Sequence, residues 1–234
     1  MECRLNPRVF YLVCILSVSG CTSKSQHSVL GTTWGFDAEK YNVRVLLDIQ
    51  TDMLRIRHVR IDNDQCVEGY EDHLELFGAI GPESTNAVEM LLPQLGRCHR
   101  FDGTPVSQAV FMSSGGGRLL DGFVLGEIFR RNHVTTHIVN NQSCASSCAI
   151  AFLGGRFRKM EPKAELIFHA PYLQSYSSID CSDRGQFAVL NRYFKTMLNS
   201  TDGEFLFERS LSFCSKSDGW VLSADDAKLF GITN

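Results

Sequence analysis

Apolar and polar residues alternate in short runs along this chain, and the period of the runs changes many times. Residues 42–49, NVRVLLDI, are rich in β-branched and other strand formers. Residues 54–61, LRIRHVRI, alternate apolar and basic with a period of two that slips once near His58, which predicts a strand with a bulge. HLELFGAI, residues 73–80, predicts a third strand, ended by the Gly81-Pro82 breaker. Ser84 is placed to cap a helix over STNAVEMLLPQL, which Pro93 must end or kink. VSQAVFM, residues 106–112, predicts a short apolar strand running into SSGGG, residues 113–117. LLDGFVLGEIFRR, residues 119–131, predicts a helix with Leu120, Val124 and Ile128 on one face and two arginines in its last turn. VTTHIV (134–139) predicts a strand, SCASSCAIAFLGG (143–155) a turn into an apolar helix, and AELIFHAP (164–171) another strand. A polar loop over 173–183 leads to helices near 185–198 and 203–213, a strand at 220–222, and a last helix capped by Ser223 or Ala224. Short strands and helices joined by few-residue connections predict an α/β fold with a largely parallel sheet.

The first twenty residues stand outside this pattern. Arg4 and Arg8 give a positive start, and residues 9–18, VFYLVCILSV, form an apolar run too short to span a bilayer comfortably but suited to the core of a signal peptide. VSGC, residues 18–21, resembles the lipobox of bacterial lipoproteins. The resemblance implies cleavage before Cys21, lipidation of its thiol, and, with Thr22 in place of Asp, residence at the outer membrane facing the periplasm. A plain signal peptide with an incidental cysteine is the alternative. The polar stretch TSKSQHS reads as a tether. The expected organisation is a signal peptide over 1–20, a tether over 21–40, and one domain over 41–234 with an N-terminal β extension. No other segment has the roughly 18 uninterrupted apolar residues of a membrane span.

With 44% hydrophobic and 21% charged residues among 234, the chain can bury a sizeable core. A net charge of -3 speaks against a nucleic-acid partner. Of the nine cysteines, Cys3 and Cys14 lie in the leader and Cys21 at the lipobox. The remainder, Cys66, Cys98, Cys144, Cys148, Cys181 and Cys214, is an even set, which in an exported chain suggests disulfides. Six cysteines allow about 15 pairings, and sequence alone does not choose among them. Cys144 could reach Cys148 if it sits in the turn before the helix. Cys181 with Cys214 would clasp the two late helices, leaving Cys66 with Cys98. No CxxC pair is present, so a zinc site is not predicted. No other metal and no cofactor is implied.

Three segments could carry acyl-transfer chemistry, which needs a nucleophile, a base and donors for an oxyanion. Ser146 and Ser147 stand where a turn meets a helix, a place with unpaired N–H groups; serine is also a common capping residue there. Three glycines in SSGGG let the backbone approach a ligand; the segment matches neither a Walker loop nor GxGxxG, and a flexible turn is the plain alternative. His169 ends an apolar strand, where a polar ring must find a partner or face a cleft; most lone histidines are structural.

Taken together in order, strand–GGG–helix–strand–turn–Ser–helix–strand–His, the three segments resemble the ClpP/crotonase superfamily, and especially its ClpP-like serine peptidases. Ala145-Ser146-Ser147-Cys148-Ala149 falls on the serine segment, His169 with Pro171 on the histidine motif, and Gly116 and Gly117 on the glycine pair. The resemblance spans about residues 74–231. It implies a fold of repeated β-β-α units, Ser146 as nucleophile, His169 as base, N–H groups of Gly116 and Ser147 as the oxyanion hole, a peptide or protein substrate, and self-association into homo-oligomers. The third member of a triad stays open. The aligned position is Gly219, Asp218 lies beside it, and a Ser–His dyad is the other reading. Lys159 and Lys163 are the candidates for a Ser–Lys pair of the signal-peptide-peptidase type. A non-catalytic relative that binds a peptide or partner in the same groove is the alternative function, and a crotonase-type thioester enzyme is a third.

Overall fold

The computed structural model describes residues 41–172, 181–215 and 218–234. The leader, the lipobox cysteine, the tether and most of the loop over 173–183 lie outside the described residues.

Nine strands and six α-helices follow in chain order among the described residues. They begin with β1 (Val43–Gln50), β2 (Leu54–Asp62), β3 (Tyr70–Gly78), α1 (Pro82–Leu91), β4 (Ala109–Ser113), α2 (Leu119–Arg131) and β5 (Thr135–Ile138). Then come β6 (Ser143–Ala145), α3 (Ser147–Phe152), β7 (Phe157–Met160), β8 (Glu165–Phe168), α4 (Ala188–Met197), α5 (Ser200–Leu211), β9 (Trp220–Leu222) and α6 (Ala224–Leu229). A six-stranded sheet runs β1-β2-β3-β4-β5-β7, and a three-stranded sheet runs β6-β8-β9. The large sheet is antiparallel from β1 to β3 and parallel from β3 to β7. The parallel part follows from helical crossovers, and the antiparallel part from hairpins.

The slip in the β2 pattern has its cause in the neighbouring strand. The register shifts between Val45 and Leu47, so the extra residue is in β1, and His58 of β2 pairs with Leu47. Alternation then sorts the large sheet into two faces. One carries Ile56, Leu74, Leu76, Val110, Met112 and Ile138, all at or near full burial, under the helices. The other carries Arg57, Glu75 and Phe111, also buried.

Ser84 does close the start of α1, but from the third helical position. Its Oγ accepts from Gly81 N–H at 2.9 Å while α1 begins at Pro82. A 3-10 turn over Leu92–Gln94 carries Pro93 and ends the helix. In α2 the expected apolar face is only partly the core face. Leu120 and Val124 are exposed, whereas Leu125, Ile128 and Phe129 are buried. Gly122 and Gly126 explain the rotation, because their bare backbone lets α3 and Tyr193 pack closely: a Cβ at Gly122 would lie 2.9 Å from the Ser147 Cβ. All six residues of α3 are buried, as expected of a helix apolar all round. Arg130 ties three elements together, donating to the carbonyls of Leu153 and Met197.

Three disulfides join Cys66 to Cys98, Cys144 to Cys148, and Cys181 to Cys214. The first and third close loops of 32 and 33 residues in sequence separation. Each such loop closure contributes about 3–4 kcal/mol in the chain-entropy account.

Candidate active site

The strand β6 and helix α3 are separated by a single residue, Ser146. Its backbone, at φ 56 and ψ -124, is outside the regions open to L-residues and belongs to the conformation glycine adopts in type II′ turns. A side chain held there costs about 1–3 kcal/mol and persists only where the surroundings over-determine it. The surroundings do so here. Ser146 N–H donates to Ile167 O at 2.9 Å, and Ser146 O accepts from Ile150 N–H at 3.0 Å. A strained serine on a sharp strand-to-helix turn is the geometry that presents a nucleophilic hydroxyl clear of the sheet. Ser147 has the opposite environment. It is 1% exposed, and its Oγ is buried against α2 with no hydrogen-bond partner among the described residues. Of the two serines, Ser146 is the accessible one.

The glycine segment lies against this turn. Ser114 pairs with β6, its N–H donating to Ser143 O and its carbonyl accepting from Ala145 N–H. A Cβ at Gly116, φ 105, would come within 2.7 Å of the Ser146 Cβ, so only glycine permits this approach. Gly116 N–H donates to Ser114 Oγ at 3.0 Å and is thus engaged within its own loop. Gly117 stands in line with Ile80, which donates to Gly116 O and accepts from Arg118 N–H. Its own N–H has no hydrogen-bond partner among the described residues, nor does that of Ser147. The Gly116 N–H, which the resemblance implies as an oxyanion donor, is thus bonded to Ser114 Oγ, and the Gly117 N–H is without a bond among the described residues.

His169 follows the last residue of β8. Since Ala145 pairs with Ile167 in parallel register, Ser146 and His169 both emerge from the carboxyl ends of adjacent strands. The His169 ring is part-buried, its Nδ1 is 2.7 Å from Ala170 O, and Tyr172 stacks on it at 5.3 Å. A carbonyl can only accept, so Nδ1 carries the hydrogen and Nε2 is left as the basic nitrogen. No hydrogen bond joins the Ser146 hydroxyl to His169 among the described residues. Catalytic hydrogen bonds of this kind are often long before substrate binds.

Asp218 is exposed, with its N–H donating to Ser215 O at 3.3 Å, and it makes no hydrogen bond or ion pair with His169 among the described residues. Phe168 pairs with Trp220 at the end of the antiparallel β8–β9 register, so Asp218 and Gly219 both lie just outside the paired strands. A Cβ at Gly219 would lie 2.8 Å from the Ile167 Cγ2. Lys163 precedes β8, at the end of the small sheet away from Ser146, and Lys159 is exposed on β7 beside His137.

The disulfide Cys144–Cys148 straddles Ser146, with one half in β6 and the other in α3. Cys66, Cys98 and Glu71 have ligand atoms within 4.8 Å of one another, but the two sulfurs are bonded to each other and offer no thiolates. A separate concavity of about 680 Å³, lined in part by Asp72, His73, Phe111, His137 and Lys159, contains none of the residues at the serine turn.

No family model and no curated protein matches this chain. Solved structures do. One is a mutant of the 1510-N membrane-bound stomatin-specific protease, 16% identical, with a TM-score of 0.50 over 68% of this chain and 75% of that one. Another is a mutant of ClpP1 from Listeria monocytogenes, 18% identical, with a TM-score of 0.47 over 68% of this chain and 87% of that one. The α/β architecture of this chain, with its repeated strand and helix units around a largely parallel sheet, is the fold of ClpP-like proteases.

Proposed function

We propose that this protein is a serine hydrolase, a peptidase by substrate class, exported and anchored through a lipid on Cys21 to the envelope membrane facing the periplasm. The observation that carries the reading is the backbone of Ser146, φ 56 with ψ -124 in a non-glycine residue, at the carboxyl end of a strand whose neighbour is followed by His169. Strain of this kind gathers at functional sites. In the reaction, His169 Nε2 takes the proton from Ser146 Oγ as that oxygen attacks a peptide carbonyl. The oxyanion is received by the N–H groups of Gly117 and Ser147, and Gly116 joins them when the Ser114 hydroxyl turns away. Each such donor is worth about 3–4 kcal/mol of barrier. The proton then passes to the leaving amine, and water repeats the cycle on the acyl-enzyme. The Ala170 carbonyl supports this role by fixing the tautomer of His169, the task a carboxylate performs in a full triad. The occurrence of the fold in a protease supports peptides as the substrate class.

A second reading, a non-catalytic member that holds a peptide in the same groove, is favoured by one observation. No carboxylate bonds His169 among the described residues, and Gly219 stands at the position where the family resemblance places an acid. One experiment separates the two. The full chain, purified in detergent and kept oxidised, is treated with a fluorophosphonate and the adduct located by peptide mass spectrometry. The hydrolase reading requires an adduct on Ser146 that is absent in Ser146→Ala and strongly reduced in His169→Ala. A folded wild-type chain that takes no adduct gives the site to the binding reading. Incorporation of labelled fatty acid into wild type but not Cys21→Ala tests the anchor.

A further inference from the structure

The Cys144–Cys148 disulfide has a position unlike that of the other two. It closes only four residues in sequence separation, against 32 and 33, so it adds little to the closure of the chain at large. Both its cysteines are fully buried, and the two Cα atoms stand 5.2 Å apart across the turn that holds Ser146 at φ 56 and ψ -124, a conformation usual for glycine. The elements it joins are short, three residues in β6 and six in α3. Elements of that length have few backbone hydrogen bonds of their own with which to hold an adverse turn.

We infer that the Cys144–Cys148 disulfide is a positioning element for the nucleophile: it holds Ser146 in its strained conformation, and the reactivity of Ser146 depends on its being formed. The inference rests on the hydrolase reading for its consequence, though not for its geometry. Three neighbours share the task. Ile167 O fixes the Ser146 N–H, the bare backbone of Gly116 leaves room beside the Ser146 Cβ, and the disulfide fixes the ends of the turn. Only the last is covalent, and its formation requires an oxidising compartment. The pair is buried, so it acts as a fixed brace rather than a reversible switch. A chain folded in a reducing compartment would have the fold, the serine and the histidine without the presented hydroxyl.

The test compares Cys144→Ala/Cys148→Ala with Cys181→Ala/Cys214→Ala in the full chain. Two readouts are taken: the rate of Ser146 labelling by a fluorophosphonate, and hydrogen exchange at the Ser146 amide. The first variant is expected to lose labelling by about 100-fold and to exchange the Ser146 amide at least ~10-fold faster with the β2–β3 amides unchanged. The second variant should leave both readouts at the wild-type level. An unchanged Ser146 amide in the first variant overturns the inference, whatever the labelling does. A wild-type chain that takes no label sinks the hydrolase reading instead, while the exchange comparison still decides the brace. If the first variant does not fold, adding Ser146→Gly should rescue it, since glycine accepts φ 56 without strain. A triple variant that also fails to fold assigns the disulfide to global stability and overturns the proposal.

Discussion

Two histidines in this molecule have complementary surroundings. His58 lies in the β2–β3 hairpin with its Nε2 3.0 Å from the Asp72 carboxylate. Asp72 also accepts two bonds from Arg60, at 2.6 and 2.8 Å, and one from Gly96 N–H at 2.8 Å. Among the described residues His169 has the Ala170 carbonyl and the Tyr172 ring as its recorded partners, and a strained serine stands at the end of the next strand. The hairpin thus holds a buried His–Asp pair away from the serine turn, while the serine turn pairs a strained serine with a histidine that has no carboxylate partner among the described residues. A His–Asp pair is a charge-balanced way to bury polar groups in a sheet, and it becomes catalytic only where a reactive hydroxyl is presented to it. Strain in the backbone of Ser146 marks the site better than pairing of the histidine does.

The comparison is broken most directly at His169. Replacing it by alanine should slow fluorophosphonate labelling of Ser146 by about 10²–10⁴-fold, the usual contribution of a general base. The melting temperature should stay within a degree or two, because the ring is only part-buried and its one hydrogen bond is to its own neighbour. Labelling at the wild-type rate would mean that another base serves Ser146.

The reverse substitution, Asp72→Ala, should act on stability and leave the chemistry alone. It removes one carboxylate and strands the Arg60 guanidinium, the His58 ring and the Gly96 N–H. Breaking a buried pair from one side costs about 3–5 kcal/mol. Denaturant melts should show that loss, with the labelling rate of the folded fraction unaltered. A melt that matches wild type would mean that water replaces Asp72 without cost.

Acid offers a graded version of the same test. Burial alone would raise the Asp72 carboxyl, but the hydrogen bonds from Arg60, Gly96 and His58 outweigh it and bring the group down to about 2. A carboxylate with a folded value below its unfolded value of 3.8 stabilises the protein fully above that pH and loses the contribution as pH falls toward 2. The loss is about 2 kcal/mol. Between pH 4 and 2 the wild-type stability should therefore fall more steeply than that of Asp72→Asn, and parallel curves would remove the assignment.

The sequence revealed the order of elements well because each strand and helix announces itself locally. LLDGFVLGEIFRR gave the bounds of α2, and the strand at 220–222 and the Ser223 cap are where the pattern places them. Two strands escaped, β6 and β7. Each has three or four residues, and β6 is built from Ser, Cys and Ala, whose pairing with β8 depends on a partner 22 residues away. The bulge shows the limit of a one-strand reading, since a slip visible at His58 is caused by Leu46. At the site, Ser146 and His169 were legible as motifs. The bond from the Gly116 N–H to Ser114 Oγ was not, because a side-chain rotamer at Ser114 decides it, nor was the exposure of Asp218, which depends on how the chain enters β9.

The smallest expected effect is a gain, and it sharpens the comparison by giving His169 what His58 already has. Gly219 directly precedes Trp220, the partner of Phe168, and its backbone is not in the left-handed region, so a side chain there meets no conformational penalty. The nearest obstacle is the Ile167 Cγ2, 2.8 Å from the added Cβ; it is a methyl fixed to a branched Cβ, so the backbone ahead of β9 must shift to admit the new side chain. Gly219→Asp would then present a carboxylate to the Nδ1–H that the Ala170 carbonyl now accepts. A carboxylate favours the imidazolium that forms as Ser146 attacks, where a neutral carbonyl favours it less. Labelling of Ser146 should rise about 10-fold, equivalent to roughly 1.4 kcal/mol of barrier, and the midpoint of the labelling rate against pH should move upward. Asp218→Ala in the same background should change neither quantity, since that side chain is exposed and has no bond to His169 among the described residues. A pH profile that Gly219→Asp leaves in place would show that the register at the end of β9 does not bring position 219 to His169, and the dyad would have to be completed from elsewhere.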